Sequence, residues 1–139
     1  MAENIKLEIV TPEQYVVSED VQIVMAPGTL GEFGVLFGHT PFLTSLQIGN
    51  LHYKDNSGRE QFVFVSGGFA EALPDKVTVL AESAERVEEI DYERAKAAYE
   101  RAQQRLESRE EDIDYNRARA ALQRAVARMN IAQGGGSVH

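Results

Sequence analysis

The chain has 139 residues, the size of one domain or of two very small ones. It has no cysteine, which excludes disulfides and thiol chemistry, and a formal net charge of −8. Residues 1–89 carry 14 acids and 5 bases (−9), whereas residues 90–139 carry 8 acids and 9 bases (+1), so the acidic first part argues against nucleic acid or an anionic membrane surface as the main partner.

The N-terminus is acidic, and no signal-peptide apolar core follows it. No apolar run approaches the ~20 residues that a helix needs to cross a bilayer. We therefore expect a soluble protein without direct membrane insertion, which reaches a membrane only through a partner.

The first part of the chain predicts short β-strands separated by turns. Ile5, Leu7 and Ile9 alternate with other residues at the period of a half-buried strand, and Thr11-Pro12 ends that pattern. Further β-rich segments are bounded by Pro, Gly and Asn-rich turns; they are 15–17, 21–25, 51–54, 62–65, 69–73 and 77–80. Regular short strands of this kind favour a β-sandwich or barrel.

The last third of the chain contains an internal repeat. Ile90–Ala98 recurs, with few changes, as Ile113–Ala121. A repeat of this length corresponds to one helix plus a short connection, so two copies predict an antiparallel helical hairpin. We expect helices from about 91 to 107 and from about 114 to 132, joined by the polar segment 108–112.

This organisation predicts a β + α protein. An N-terminal β-sandwich occupies residues 1–86, and a C-terminal antiparallel two-helix hairpin, the arm, occupies residues 87–133. Three successive glycines begin a disordered tail at residues 134–139.

The helix faces expected to meet each other in the arm are rich in alanine. They are Ala95, Tyr99, Ala102 and Leu106 on the first helix and Ala118, Leu122, Ala125, Met129 and Ala132 on the second. Alanine buries little apolar area, so this seam packs closely but weakly. A two-helix arm of this kind is marginal alone and needs docking, a ligand or a partner.

Arginines without acidic neighbours form a row along each helix. Arg101 and Arg105 lie four residues apart, as do Arg124 and Arg128, and none has an acid three or four residues away. Their stems can simply cover the alanine seam or reach the acidic body. Alternatively, the two rows form an anion site in which guanidinium groups clamp phosphates.

Asp91 and the histidines allow ordinary interpretations. Asp91 and its counterpart Asp114 each suit a helix N-cap. His39 and His52 have no cysteine, paired carboxylate or metal-ligand spacing nearby, and for His39, which lies in the Gly-bounded loop 34–41, a structural or interface role is favoured. No phosphate-binding glycine motif and no nucleophile–base set is visible, so we predict no catalytic residues, no metal site and no enzyme activity of the isolated chain.

Two motifs resemble those of a known family. Gly31–Pro41, GEFGVLFGHTP, resembles the GELGILPGHxP signature of the epsilon subunits of bacterial F-type ATP synthases, and Ser66–Glu71, SGGFAE, resembles their SGGFxE segment. Phe33 and Phe37 stand where Leu and Pro are usual, which affects local loop shape more than the assignment.

The resemblance implies a ten-stranded β-sandwich followed by two helices, in a non-catalytic subunit of the rotor stalk. It implies that the sandwich contacts the gamma subunit and the membrane c-ring, which places the protein peripherally on the cytoplasmic face of the cell membrane. The hairpin either folds onto the sandwich or extends towards the alpha/beta hexamer, where it inhibits ATP hydrolysis.

The resemblance also implies ATP as a regulatory ligand, alone or with Mg²⁺. Ile90–Ala95 is similar to the I/L-D-x-x-R-A motif with which some bacterial members bind ATP. The implied nucleotide-binding residues are Glu85, Ile90, Asp91, Arg94, Ala95, Arg101, Arg124 and Arg128. The alternative function is a stand-alone β-sandwich binding module whose Arg-rich hairpin docks on an acidic partner protein.

Overall fold

The computed structural model describes residues 3–108 and 112–134. Seven strands and a single 3-10 turn precede two α-helices in these residues. The elements are β1 (Ile5–Val10), β2 (Tyr15–Gly28), β3 (Gly31–Val35), β4 (Phe42–Asp55), β5 (Glu60–Leu73), β6 (Lys76–Ala81), β7 (Ala84–Arg86), the 3-10 turn (Val87–Glu89), α1 (Tyr92–Glu107) and α2 (Tyr115–Gly134).

The strands form a sheet that closes on itself. The pairing order is β1-β6-β5-β4-β2, and β1 also pairs with β2, so the ring is complete. β1 runs antiparallel to β2 and parallel to β6. β3 extends the sheet from β2, and the short β7 pairs with β5. The predicted sandwich or barrel is therefore confirmed, and closure removes most of the exposed strand edges.

The strand count differs from the ten strands that the resemblance implies. β2, β4 and β5 are each 14 residues long. The register of β2 shifts between Met25 and Gly28, and the β4–β5 ladder skips Gln47 and Gly67. The shift in β2 marks a bulge, which bends a strand and lets it serve two layers, whereas β4 and β5 keep one register on both sides of the skipped pair. Seven strands are therefore found among the described residues, and three of them are long enough to serve as two strands each.

One apolar core fills the closed sheet. It contains Ile5, Leu7 and Ile9 of β1 and extends through buried residues of β2 to β6 as far as Ala81. The alternation predicted for β1 is confirmed, because these three side chains are fully buried. All buried members of this cluster precede the arm, so the sandwich has a hydrophobic core of its own.

The SGGF motif has a conformational requirement that only glycine meets. Gly67 and Gly68 both have positive φ, 68° and 115°. A Cβ on Gly68 would lie 2.0 Å from the carbonyl oxygen of Leu80 on β6. The motif therefore lets β5 turn and pass close to β6 within the sandwich.

The arm is an antiparallel helical hairpin, as predicted. α1 and α2 begin one residue after Asp91 and Asp114. The amide of Gln133, in the last turn of α2, donates to the hydroxyl of Tyr92, in the first turn of α1, at 3.0 Å. α2 continues to Gly134, so that residue is helical and the expected tail does not begin there. Residues 109–111 of the expected connection and residues 135–139 of the expected tail lie outside the described residues.

The alanine seam is present, and α2 also has a second buried face. Ala95 and Ala102 of α1 and Ala118 and Ala125 of α2 are buried. The other predicted seam residues, Tyr99, Leu106, Leu122, Met129 and Ala132, are half-buried. The sequence interpretation missed Ala127 and Ile131, which are also buried, and α2 contacts β4 and β5. The arm is therefore docked on the sandwich.

Candidate functional site

A cleft of about 310 Å³ lies where β7, the 3-10 turn and both helices meet. Its volume is at the lower end of the range for small-molecule sites. The residues that line it are Glu85, Glu89, Asp91, Arg94, Ala95, Ala98, Arg101 and Arg128.

Arg86 fixes the sandwich side of this cleft. Its guanidinium donates to the backbone oxygen of Val16 at 3.1 Å and to the hydroxyl of Tyr53 at 3.3 Å, and it pairs with Glu19 at 3.4 Å. Its backbone N–H donates to Oε1 of Glu89 at 3.2 Å. β7 and the 3-10 turn are thus tied to the sandwich, and Glu85 and Glu89 belong to its rigid part.

The first turn of α1 forms another wall. The Asp91 carboxylate accepts a hydrogen bond from the backbone N–H of Arg94 at 3.1 Å, as an N-cap does. Arg94, Ala98 and Arg101 are three or four residues apart, so their side chains share one side of α1. This side faces the cleft.

Arg128 of α2 closes the cleft against the sandwich. Its Nε donates to Oε1 of Glu85 at 2.5 Å. Its guanidinium carbon lies 4.3 Å from the ring centre of Phe64 on β5, a cation–π distance. These contacts leave its two Nη atoms without a hydrogen-bond partner among the described residues.

The carboxylates of the cleft have hydrogen-bond partners, whereas two of its guanidinium groups have none among the described residues. Each carboxylate accepts a hydrogen bond: Glu85 from Arg128, Glu89 from the N–H of Arg86, and Asp91 from the N–H of Arg94. In the part of the chain that the structure describes, the guanidinium groups of Arg94 and Arg101 have no ion pair or hydrogen bond. The cleft therefore offers free cationic donors for an anion, beside carboxylate oxygens that can accept from hydroxyl or amino groups.

Most of the site residues named from the sequence line this cleft. It brings together Glu85, Asp91, Arg94, Ala95, Arg101 and Arg128. Ile90 precedes the cleft, where its N–H donates to the Val87 oxygen, and Arg124 lies one helical turn before Arg128; neither is part of the wall.

Three residues at the site were not named from the sequence. Glu89 and Ala98 line the cleft, and the ring of Phe64 packs against the guanidinium of Arg128. Ala98 could have been found, since it is four residues after Arg94. Phe64 could not, because its contact depends on how α2 crosses β5.

A second cleft, of about 880 Å³, lies on the other side of α2 against β4. It contains Glu32 and His52 but no arginine or lysine, so it is unsuited to phosphates. His52 contacts the carboxylates of Glu32 and Glu60 at 3.4 and 3.0 Å. The other histidine, His39, packs against the ring of Phe42.

Residues 3–108 and 112–134 contain neither a cluster of metal-ligating side chains nor a membrane-spanning helix. No group of three or more potential metal-ligating side chains is found among them. None of the helices within these ranges combines the length and the apolar character that crossing a membrane requires.

Two family models match consecutive parts of the chain. Residues 4–87 match the β-sandwich domain of the ATP synthase delta/epsilon chain. Residues 88–133 match the long α-helix domain of the same chain. The two matches meet at the 3-10 turn.

Curated relatives are similar over most of their length. The ATP synthase epsilon chain of Syntrophobacter fumaroxidans is 56% identical over 96% of this chain and 98% of its own. The ATP synthase epsilon chain of Desulfosudis oleivorans is 69% identical over 78% of this chain and 81% of its own.

Solved structures agree with the fold. A chain in the Euglena gracilis mitochondrial ATP synthase (OSCP/F1/c-ring, rotational state 1) has a TM-score of 0.80 and 26% identity, covering 91% of this chain and 80% of that one. A chain in the central stalk/c-ring structure of the Tetrahymena thermophila mitochondrial ATP synthase has a TM-score of 0.57 and 14% identity, with 98% of both chains covered. The second likeness is one of fold alone.

Proposed function

The chain belongs to the ATP synthase delta/epsilon chain family, among the epsilon subunits of bacterial F-type enzymes, and we propose that its arm is an ATP-binding regulatory element of the rotor stalk. The chain itself is non-catalytic in this proposal. It couples the gamma subunit to the c-ring through the sandwich, and it lies at the cytoplasmic face of the cell membrane through the assembled complex. Family membership favours this function over a stand-alone module that docks on an acidic protein.

The arginine-lined cleft is the observation that carries the ATP proposal. Arg94, Arg101 and Arg128 come from two helices and converge on one space. Guanidinium groups bind phosphate oxygens through charge-assisted hydrogen bonds. The neighbouring carboxylates suit a ligand that also carries donor groups, as the ribose and adenine of a nucleotide do. Inorganic phosphate lacks that combination.

The proposed regulation follows from the fact that the walls of the cleft come from three parts of the molecule, the sandwich, α1 and α2. Glu85 and Glu89 are fixed to the sandwich, whereas Arg94 and Arg101 belong to α1 and Arg128 to α2. A ligand that contacts all three parts binds only when the arm is docked. ATP therefore favours the compact arm, and the undocked arm extends towards the alpha/beta hexamer, where it inhibits hydrolysis.

Calorimetric titration of the full chain tests the binding proposal. ATP, ADP and inorganic triphosphate are each titrated with and without Mg²⁺. We expect ATP to bind more tightly than triphosphate, because triphosphate has no ribose or adenine groups to donate to the remaining lone pairs of the cleft carboxylates. No heat with any nucleotide, at millimolar concentrations, would refute the site.

Co-purification tests membership of the complex separately. A tagged chain expressed in its host should recover the subunits of a rotary ATPase. Recovery of a single acidic protein without those subunits would instead favour the stand-alone module.

A further inference from the structure

Phe64 is fully buried, yet it does not belong to the core of the sandwich. Its neighbours Val63 and Val65 are members of the core cluster, whereas Phe64 is not. Successive side chains of a strand point to opposite faces, so Phe64 lies on the outer face of β5. α2 contacts β5, and its Arg128 lies over the Phe64 ring on that face. The burial of Phe64 therefore depends on the docked arm.

The strand pairing places Phe64 beside Glu85. The two residues are register partners in the β5–β7 ladder. Arg128 contacts both, with its guanidinium carbon 4.3 Å from the ring centre and its Nε bonded to the carboxylate. The ring restrains the plane of the guanidinium, and the carboxylate restrains its rotation in that plane. Both Nη atoms remain available to another acceptor.

We propose that Phe64 is a positioning residue of the ATP site. It holds the guanidinium of Arg128 so that the Nη edge is presented to a phosphate group before ATP arrives. This inference rests on the proposed function, and it adds a residue of the sandwich that does not itself line the cleft. A donor that is preset in this way loses less side-chain freedom on binding, which raises affinity.

A different role for Phe64 is simple packing beneath the arm, and Ile131 offers a matched comparison. Ile131 is fully buried on α2 and has no role in orienting Arg128 in this proposal. Phe64→Leu retains apolar volume but loses the cation–π face, whereas Ile131→Ala loosens docking by loss of volume. If Phe64 only packs, the two variants will behave alike towards ATP.

The experiment is a pair of double-mutant cycles on the ATP dissociation constant of the full chain. Phe64→Leu and Ile131→Ala are each measured alone and together with Arg128→Gln. We expect Phe64→Leu to weaken ATP binding by about three- to tenfold in the wild-type background. With Arg128→Gln present, Phe64→Leu should have almost no further effect, whereas the effect of Ile131→Ala should persist. Phe64→Tyr, which keeps the aromatic face, should retain affinity close to wild type.

The outcomes separate this inference from the proposed function. If the wild type binds ATP and Phe64→Leu binds equally well, the positioning role is refuted and the ATP site stands. An effect of Phe64→Leu that persists in the Arg128→Gln background assigns Phe64 to packing and also refutes the role. A wild-type chain that binds no nucleotide refutes both. Thermal unfolding of the sandwich in each variant verifies that the fold is kept.

Discussion

Asp91 and Asp114 make the same contact at equivalent positions of the repeat. Each carboxylate accepts a hydrogen bond from the backbone N–H three residues later, Arg94 and Arg117 respectively, and both distances are 3.1 Å. Both residues therefore act as helix N-caps. They differ in surroundings, because only Asp91 lines the arginine cleft.

The matched substitutions Asp91→Ser and Asp114→Ser separate capping from ligand binding. Serine is about as good an N-cap as aspartate, so both variants should keep the melting temperature of the arm within a few degrees. Asp91→Ser should weaken ATP binding several-fold, because the carboxylate in the cleft is lost, and Asp114→Ser should leave it unchanged. The measurements are circular dichroism and calorimetric titration. Equal ATP affinity in the two variants would show that Asp91 is a cap and nothing more.

Substitution of the unpaired arginines should affect ATP binding more than stability. Arg94→Ala or Arg101→Ala should weaken ATP binding about tenfold or more, because each charge-assisted hydrogen bond contributes roughly 1.5–3 kcal/mol. Arg105→Ala is the control, since Arg105 is exposed on the same helix and is not part of the cleft wall. Arg124→Ala should have a smaller effect than Arg94→Ala. An effect of Arg105→Ala as large as that of Arg94→Ala would indicate a general charge effect.

The sandwich should fold without the arm. Truncation after Glu89 keeps every buried member of the core cluster and the contacts of Arg86. We expect the truncated protein to unfold cooperatively and to bind the gamma subunit, and we expect hydrolysis by the complex to rise. Loss of gamma binding in pull-down experiments would place that surface in the arm.

Truncation should also expose Phe64, which the arm buries. The truncated protein should therefore bind more of a hydrophobic dye than the full chain does. Phe64→Ser in the truncated protein should reverse that gain. A truncated protein with unchanged dye binding would contradict the outer-face position of Phe64.

The parts of the fold that the sequence predicts are those determined by residues close to one another in the chain. The β1 alternation and the two aspartate caps depend on residues close in sequence, so the sequence predicts both. Strand β3 and the first half of β4 were not predicted, because these segments contain few β-branched residues and their pairing comes from β2 and β5. Propensity alone does not predict such tertiary pairing.

In the candidate site too, features set by nearby residues are predicted from the sequence, and features set by tertiary contacts are not. The arginine rows could be found from their missing acidic neighbours, and the motif resemblance named most of the cleft wall. The face of α2 that contains Ala127 and Ile131 could not be found, because the alanine seam already accounted for the apolar period of that helix. The burial of this face depends on how α2 packs against the sheet. The contact between Arg128 and Phe64 depends on the same packing.

Stability should depend on Tyr53 at alkaline pH. Burial raises the pKa of Tyr53 from its ordinary value near 10 to about 12; the nearby Arg86 lowers that pKa and Glu19 raises it. The neutral phenol is therefore favoured in the folded state, so its contribution is complete below about pH 10 and is lost as the pH rises towards 12. Urea unfolding of the wild type should show this decline, and Tyr53→Phe should show a smaller one. Tyr15→Phe, at an exposed tyrosine of β2, is the control. An unchanged slope in Tyr53→Phe would refute the assignment.

The last prediction concerns the direction of the switch. The arm is held to the sandwich by contacts that include those among Phe64, Arg128 and Glu85, and its own seam is mostly alanine. A ligand shifts such an equilibrium only by its difference in affinity for the two states. The cleft exists only with the arm docked, so ATP should shift the arm towards the compact state.

A distance reporter measures this shift directly. One dye is placed on the exposed Leu30 of the sandwich and the other at Gln133 near the end of α2. The mean distance should fall with ATP concentration in the wild type. Asp91→Ala combined with Arg94→Ala should abolish the response to ATP, while inhibition of hydrolysis by the assembled complex remains. Extension of the wild-type arm on addition of ATP would reverse the sign of the switch, because it would mean that the nucleotide prefers the undocked state.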